Sequence, residues 1–185
     1  LQIAAGSALA RVDLNIHFRG EGAECTLNGA YVGRGAQHVD NHTMIDHAVP
    51  QCTSRQLYKG IVTDSATAVF NGKVVVRPGA QKTDAAQTNK NLLLSSSATV
   101  DTKPQLEILA DDVRCTHGAA VGPPDDETLF YLESRGLSLE EATGLLAFGF
   151  AADVVTSGAP AELRALVESA LRRGVEAAVG HEIPE

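Results

Sequence analysis

The stretch HVDNHTMIDHAVPQCTSRQLYKGIVTDSATAVFNGKVVV, residues 38–76, contains the clearest indication of the fold class. It contains three short segments, HVDNHTMIDH, RQLYKGIV and TAVFNGKVVV, in which apolar and polar residues tend to alternate. Alternation with a period of two is typical of a strand that buries one face. The connections VPQ and TDS contain Pro, Asp and Ser, which favour turns. The stretch therefore predicts consecutive strands with no helix between them.

The same pattern extends in both directions, from Ala10 to about Val121. It continues in ARVDLNIHF, AECTLNGAYV, NKNLLLS, QLEILA and VRCTHGAAV. A spacing of about 12 to 16 residues between segments suits a sandwich, a barrel or a coil of stacked strands. We expect small polar residues at the bends to stack as ladders, which favours the coil over an irregular β-sandwich. The residues in question are Asn28, Asn71, Asn89 and Asn91.

After Gly122 the period changes to that of helices. Two prolines interrupt the chain, and an acidic first turn then begins a short helix that ends near Gly136. Ser138 and Glu141 form the pattern of a capping box for a second helix, and Pro160 is predicted to begin a third. These helices carry more apolar surface than so small a bundle needs. It can pack on the strands of the same chain or bind a partner.

Composition limits the classes of function. The net charge is −8 and the 15 Lys and Arg residues are scattered, so nucleic acid is not an expected partner. No apolar run approaches the roughly 20 residues of a spanning helix, and no signal peptide is recognisable, so we expect a cytoplasmic protein with no membrane partner. Because the chain starts at Leu1 within an alternating segment, we expect it to be a piece of a longer protein.

A thiol and an imidazole lie two residues apart in DDVRCTHGAAVG, residues 111–122. In a strand, Cys115 and His117 would point to the same side. Thiolate and imidazole together suit iron or zinc, but two ligands alone imply a site that another chain completes. The alternative is a small buried thiol beside a histidine at the edge of a core. The residues leave both interpretations open.

A second group lies in QHVDNHTMIDH, residues 37–47. Alternation places His38, Asp40 and His42 on one face, with Asp46 and His47 further along. These residues could hold a metal, or form a polar edge in which His and Asp bind each other and the backbone. No nucleophile elbow, phosphate-binding loop, dinucleotide fingerprint or HExxH motif is present.

Two long segments resemble a known family. They are VDTKPQLEILADDVRCTHGAAVG, residues 100–122, followed by LFYLESRGLSLEEATGLLAFGFAADVV, residues 129–155. They are similar to the core and C-terminal region of the SufB and SufD proteins of the SUF iron-sulfur cluster assembly system, and resemble the SufD branch more. The run GAYVGRGAQHVDNHTMIDHAVPQCTSRQLYKGIV, residues 29–62, resembles the same family.

The resemblance implies a right-handed parallel β-helix over residues 1–122, shortened at its N-terminal side, and a helical domain over residues 123–185. It implies a non-catalytic scaffold subunit that pairs with a SufB-like paralogue through the β-helix and binds a SufC-like ATPase through the C-terminal helices. Self-association as a homodimer is also expected. The resemblance further implies a transient iron-sulfur cluster in the complex and no tightly bound cofactor.

The resemblance also assigns residues. His117 matches a histidine of the SufD branch that shares a cluster-building site at the subunit interface, and Cys115 lies beside it. Asn89 stands near the position where SufB carries a cysteine, so we do not expect this chain to replace SufB. The residues expected to contact the ATPase are apolar residues of the helices: Phe130, Leu132, Leu145, Leu146, Phe148 and Phe150.

Two other classes of function remain as alternatives. One is an enzyme on a β-helix, such as a sugar-acting lyase or an acyltransferase, which would need a cluster of carboxylates or a groove of ligand size. Neither feature is recognisable in the sequence. The other is a homodimeric structural module.

Overall fold

The strands form a parallel β-helix, as predicted. The computed structural model describes residues 1–184, which contain nine strands in two sheets. The order is β1-β3-β5-β7-β9 in one sheet and β2-β4-β6-β8 in the other, and every pair is parallel. The chain therefore passes from one sheet to the other and back in each of about four turns. The strands are β1 Gln2–Ala5, β2 Leu9–Phe18, β3 Glu24–Gly33, β4 His38–His47, β5 Thr53–Val62, β6 Thr67–Val76, β7 Asp84–Leu93, β8 Thr99–Ile108 and β9 Arg114–Gly122.

The register repeats from turn to turn, so that equivalent side chains stack in columns. Cys25 pairs with Ser54, Ser54 with Ala85, and Ala85 with Cys115. One turn thus takes about 30 residues, a repeat length found in solenoid proteins. Alternate residues of each strand point between the two sheets, where they form the interior of the β-helix.

Large and small residues alternate within the interior. Tyr31 and Tyr58 are fully buried, and each aromatic ring lies against a glycine of the neighbouring turn. The ring of Tyr58 covers Gly29, and that of Tyr31 covers Gly60. The Tyr31 hydroxyl donates a hydrogen bond of 2.5 Å to Asn91 Oδ1, so its polar end has a partner in the interior. These two tyrosines fit in the interior because glycines of the neighbouring turns leave room for their rings.

The prediction that four asparagines lie at the bends and form ladders was wrong. All four lie within strands. Asn28 donates to Ser157 of a helix, whereas Asn91 donates to Asn89 along one strand, over 2.7 Å. Asn71 lies in the other sheet, in β6. The amides have local partners that differ from turn to turn, so a common ladder does not form.

Three helices follow the strands: α1 Asp126–Glu133, α2 Leu139–Gly158 and α3 Arg164–Val179. The predicted capping box is present, since the Ser138 hydroxyl accepts from the Glu141 N–H and the Glu141 carboxylate accepts from the Ser138 N–H. The third helix begins later than predicted, because a 3₁₀ turn at Ala161–Leu163 separates Pro160 from α3. The change from strand to helix falls between β9 and α1. Glu185 lies outside the described residues.

The helices α2 and α3 pack against the outer face of the five-stranded sheet. The contact is mostly apolar and joins residues of β3, β5 and β7 to both helices: Ala30, Val32, Ile61, Leu92, Ala147, Phe148, Ala151, Val154, Val155, Leu171 and Val175. The main polar contact comes from the buried Lys59 of β5. Its ammonium donates to the Phe150 carbonyl and to Asp153 in α2, each over 2.7 Å. The surplus apolar surface predicted for the helices is thus largely used within the chain.

No helix within residues 1–184 combines the length and the hydrophobicity needed to cross a membrane.

The packing of Tyr31 on Gly60 can be tested by Gly60→Ala. An added Cβ would lie 2.6 Å from Tyr31 Cζ, and neither the ring nor the adjacent sheet can move away freely. We expect the free energy of unfolding to fall by about 1–3 kcal/mol, measured by urea unfolding with circular dichroism.

Gly149→Ala is the matched control. Gly149 lies on the exposed side of α2, where a Cβ would meet nothing within 4 Å. The control is expected to leave stability unchanged or to raise it by up to about 1 kcal/mol. Equal effects of the two substitutions would contradict the interior packing.

Candidate functional site

The last strand of the five-stranded sheet is the candidate site. β9 pairs with β7 on one side only, so within residues 1–184 the backbone groups along its other side have no strand partner. Most of its side chains are exposed. A free strand edge of this kind can pair with a strand of another chain. The terminal turn is therefore an open end of the β-helix.

Cys115 and His117 lie on this strand and share one side, as predicted. Their register partners, Ala85 and Gln87, both point into the β-helix, so the thiol and the imidazole point to the same interior side. Cys115 is half-buried in the apolar cluster around Ala85, whereas His117 is exposed because no further turn covers it. Burial raises the pKa of the Cys115 thiol above its usual value.

This pair has no third ligand within the described residues. Between Leu1 and Pro184, no group of three or more His, Cys, Asp or Glu side chains is arranged to hold a metal ion. The three cysteines of the chain are all free thiols. The arrangement offers one soft and one borderline ligand at an open edge, and further ligands would have to come from outside these residues. A metal-binding role for the pair stays a prediction.

Behind His117 lies a feature that the sequence analysis missed. Two buried glutamines, Gln56 and Gln87, occupy the same interior column as the histidine. Gln87 donates from Nε2 to Gln56 Oε1 over 2.7 Å, and Gln56 donates to the Thr43 hydroxyl over 2.7 Å. The signal in the sequence is a separation of about one turn of the coil between these residues. It is recognisable only once the turn length is known.

The second predicted cluster is a network of ion pairs on the outer face of the four-stranded sheet. His38, Asp40 and His42 share this face, as predicted. Asp40 accepts from Arg11 over 2.7 Å, and its other oxygen lies 2.8 Å from His42 Nε2. The carboxylate thus lies between Arg11 and the His42 ring, so the polar-edge interpretation fits these residues better than the metal site.

Asp46 lies on the same face, but His47 does not. Arg77 donates two hydrogen bonds of 2.9 Å to Asp46, and these bonds lower the pKa of its carboxyl group. His47 points into the β-helix, where its Nε2 lies 2.9 Å from the Ser54 hydroxyl and its ring packs on Phe18. Burial lowers the pKa of His47 to about 4. This histidine belongs to the core.

The six apolar helix residues predicted to bind an ATPase are divided by the structure. Phe148 is buried against the five-stranded sheet, and Leu145, Leu146 and Phe150 are partly buried beside it. In contrast, α1 has no buried residue, and Phe130 is 73% exposed. Leu132 of the same helix is partly exposed. Binding of a partner by these residues stays a prediction.

Comparison with known proteins agrees with the family resemblance of the sequence. A family model described as "SUF system FeS cluster assembly, SufBD core domain" matches residues 1–150. The chain is 41% identical over 179 residues to the iron-sulfur cluster assembly protein SufD of Escherichia coli, which covers 97% of this chain and 40% of that protein. It is 36% identical over 172 residues to a SufBD family protein of Mycobacterium leprae, covering 89% and 44%. It is also 40% identical over 136 residues to SufD of Bacillus subtilis, covering 74% and 31%. The chain thus spans less than half the length of these relatives.

The buried His47 predicts how stability depends on pH. Its pKa is about 4 in the folded chain and 6.5 when exposed, so between these values the unfolded chain takes up a proton that the folded chain does not. The free energy of unfolding should therefore fall as the pH decreases from about 7.5 to 5, by about 2 kcal/mol from this residue. Denaturant unfolding at the two pH values measures the change.

His47→Gln provides the comparison, since every other titrating group is retained. The variant is expected to show a smaller loss of stability over the same pH interval. Identical pH profiles would mean that His47 is protonated as easily in the folded chain as in the unfolded one.

Proposed function

Because the chain belongs to the SufBD family of the SUF iron-sulfur cluster assembly system, we propose that it is a non-catalytic scaffold subunit of an assembly complex. The cluster is then the cargo of the complex, and no resident cofactor is required. The relatives are named as assembly proteins, which favours a scaffold over the alternative of a β-helix enzyme. We expect the complex to act in the cytoplasm.

One observation carries the proposal: the free edge of β9 presents Cys115 and His117 without a third ligand in the described chain. A SufB-like paralogue would pair with this edge and supply the missing ligands. Soft ligands divided between two subunits suit the assembly of a cluster that must later be released, because separating the subunits removes part of the ligand set.

Apolar side chains beside the edge also support pairing. Val121 of β9 is 43% exposed, Ile108 at the end of β8 is 40% exposed, and Leu109 directly after it is 53% exposed. Their burial against a partner would add a favourable hydrophobic contribution to strand pairing. The same edge can pair with a second copy of this chain, so a homodimer is the expected state when the paralogue is absent.

The ATPase is proposed to bind α1. This helix has no buried residue, and it carries exposed Phe130 and Tyr131. Only Pro123, Pro124 and Asp125 lie between α1 and the end of β9. A movement of α1 caused by the ATPase would therefore be transmitted over a short, stiff connection to the strand that carries the proposed ligands. The apolar residues of α2 then serve mainly to hold the helices on the sheet.

The proposed ligand can be tested by His117→Ala in the complex with SufB-like and SufC-like partners. We expect the iron and sulfide retained after anaerobic reconstitution to fall by about tenfold or more, because a metal ligand is lost. The measurement is iron and sulfide per complex, with the complex first shown to be intact by size-exclusion chromatography.

His38→Ala is the control, since His38 lies on the outer face of the other sheet. It should retain the cluster content of the unmodified complex. Unchanged cluster content in His117→Ala would refute the proposed site.

The proposed ATPase contact can be tested by Phe130→Glu. Because the side chain is exposed, the substitution should leave the unfolding midpoint unchanged while weakening ATPase binding by about 2 kcal/mol, or about thirtyfold in Kd. Isothermal titration calorimetry with the purified ATPase provides the Kd.

Leu166→Glu is the matched control on α3, where Leu166 is 66% exposed. It introduces the same charge at an exposed leucine of another helix and should leave the Kd unchanged. Loss of affinity in Leu166→Glu but not in Phe130→Glu would move the contact to α3.

A further inference from the structure

We propose that Gln87 positions the imidazole of His117 for metal binding by accepting a hydrogen bond from one of its ring nitrogens. This inference rests on the proposed function and adds a residue to its site. Gln87 would not touch the metal itself and would act only through the histidine.

The parallel register makes the two residues neighbours. Gln87 pairs with His117 across β7 and β9, and Gln56 pairs with Gln87 across β5 and β7. Neighbouring strands lie about 4.8 Å apart, and register partners point to the same side of a sheet. The amide of Gln87 is therefore stacked one layer behind the imidazole, with the histidine in the last, open layer.

The buried hydrogen bonds that begin at Gln87 lead away from β9, first to Gln56 in β5 and then to Thr43 in β4 of the other sheet. Gln56 Nε2 donates to the Thr43 hydroxyl, and Gln87 Nε2 donates to Gln56 Oε1, each over 2.7 Å. Both donors point away from β9, so the chain of bonds ends on Gln87 Oε1. That oxygen is buried and has no hydrogen-bond partner within residues 1–184.

A buried acceptor without a partner is stabilised by a hydrogen bond from a donor in the next turn. Gln87 is 1% exposed, and a buried polar atom without a hydrogen-bond partner is energetically unfavourable. The next residue of the column is His117, whose imidazole carries an N–H. When a partner covers the open end and excludes water, the imidazole N–H and the amide oxygen are each other's available partners in this column.

The glutamine is held in place on its other sides. Its Nε2 lies against Gly72 of the opposite sheet, so close that a Cβ at that position would collide with it. Together with the bond to Gln56, this contact fixes the plane of the amide. A rigid acceptor can orient a ligand, whereas a mobile side chain could not.

A hydrogen bond from one ring nitrogen determines what the other can do. If His117 donates to the inward-facing Gln87 oxygen, its proton is fixed on that nitrogen, and the second nitrogen keeps a lone pair for a metal. Partners of this kind orient histidine ligands and increase their basicity, and their loss typically weakens metal binding by about 10–100-fold. The buried amide of Gln87 would thus influence metal binding by His117 at the open edge.

The test is a titration with Co²⁺, as a spectroscopic probe, of the purified complex between this chain and its SufB-like partner under anaerobic conditions. Gln87→Leu should weaken Co²⁺ binding by about 10–100-fold, because the acceptor is removed. Gln87→Glu keeps an acceptor oxygen on the side of His117, although its second oxygen replaces the Nε2 that donates to Gln56, so it should restore part of the affinity. A glutamate variant as weak as the leucine variant would contradict a role as acceptor.

Asn89→Leu controls for damage to the core. Asn89 lies on the same strand and side, is equally buried, and pairs with Ala119, which is not a metal ligand. It should lose stability without losing Co²⁺ affinity. If Gln87→Leu fails to assemble, Gln87→Asn replaces it, since the shorter side chain withdraws the oxygen from His117 and should cause the same loss.

His117→Ala, measured alongside, separates the two proposals. If His117→Ala loses Co²⁺ and Gln87→Leu or Gln87→Asn does not, the positioning role is wrong and the proposed site stands. If His117→Ala binds Co²⁺ as tightly as the unmodified complex, the proposed site fails, and the role of Gln87 fails with it.

Discussion

The parallel register between successive turns governs how the interior of this β-helix packs. It places each interior side chain directly against its equivalents one turn before and one turn after, so packing and hydrogen bonding are decided column by column. At Tyr31 the ring fits because the next turn has a glycine, Gly60. The buried amide of Gln87 finds a partner in the preceding turn, where Gln56 accepts its hydrogen bond.

A stack of turns must end, and its last turn lacks one set of neighbours. In this chain the end at β9 leaves a free strand edge, exposed apolar residues and an exposed imidazole. The same geometric fact that stabilises the middle of the β-helix thus makes its end available for binding. The proposed scaffold function uses this property, since an unfinished turn is a natural place for another subunit to add a strand and the remaining ligands.

The helices complete the molecule on a different face. α2 and α3 cover the outer face of the five-stranded sheet, and the buried Lys59 ties α2 to the sheet through two hydrogen bonds. α1 stays exposed and follows β9 after a short connection. The helix proposed to bind the ATPase and the strand that carries the proposed metal ligands are therefore close along the chain, although they use different surfaces.

Features that depend on neighbours along the chain could be predicted from the amino-acid pattern. Alternation located the strands, the Ser138–Glu141 pattern located the start of α2, and the spacing of Cys115 and His117 placed both on one side of a strand. Long segments also indicated the family. Contacts between residues of different turns could not be predicted in this way and are visible only in the folded chain. The tertiary structure put the asparagines inside strands, turned Phe148 toward its own sheet, and set the amide of Gln87 behind His117. The physical reason is that a period of two fixes the side to which a residue points, whereas the register fixes its partner about 30 residues away, and this register depends on the lengths of the turns and on the packing of the whole interior.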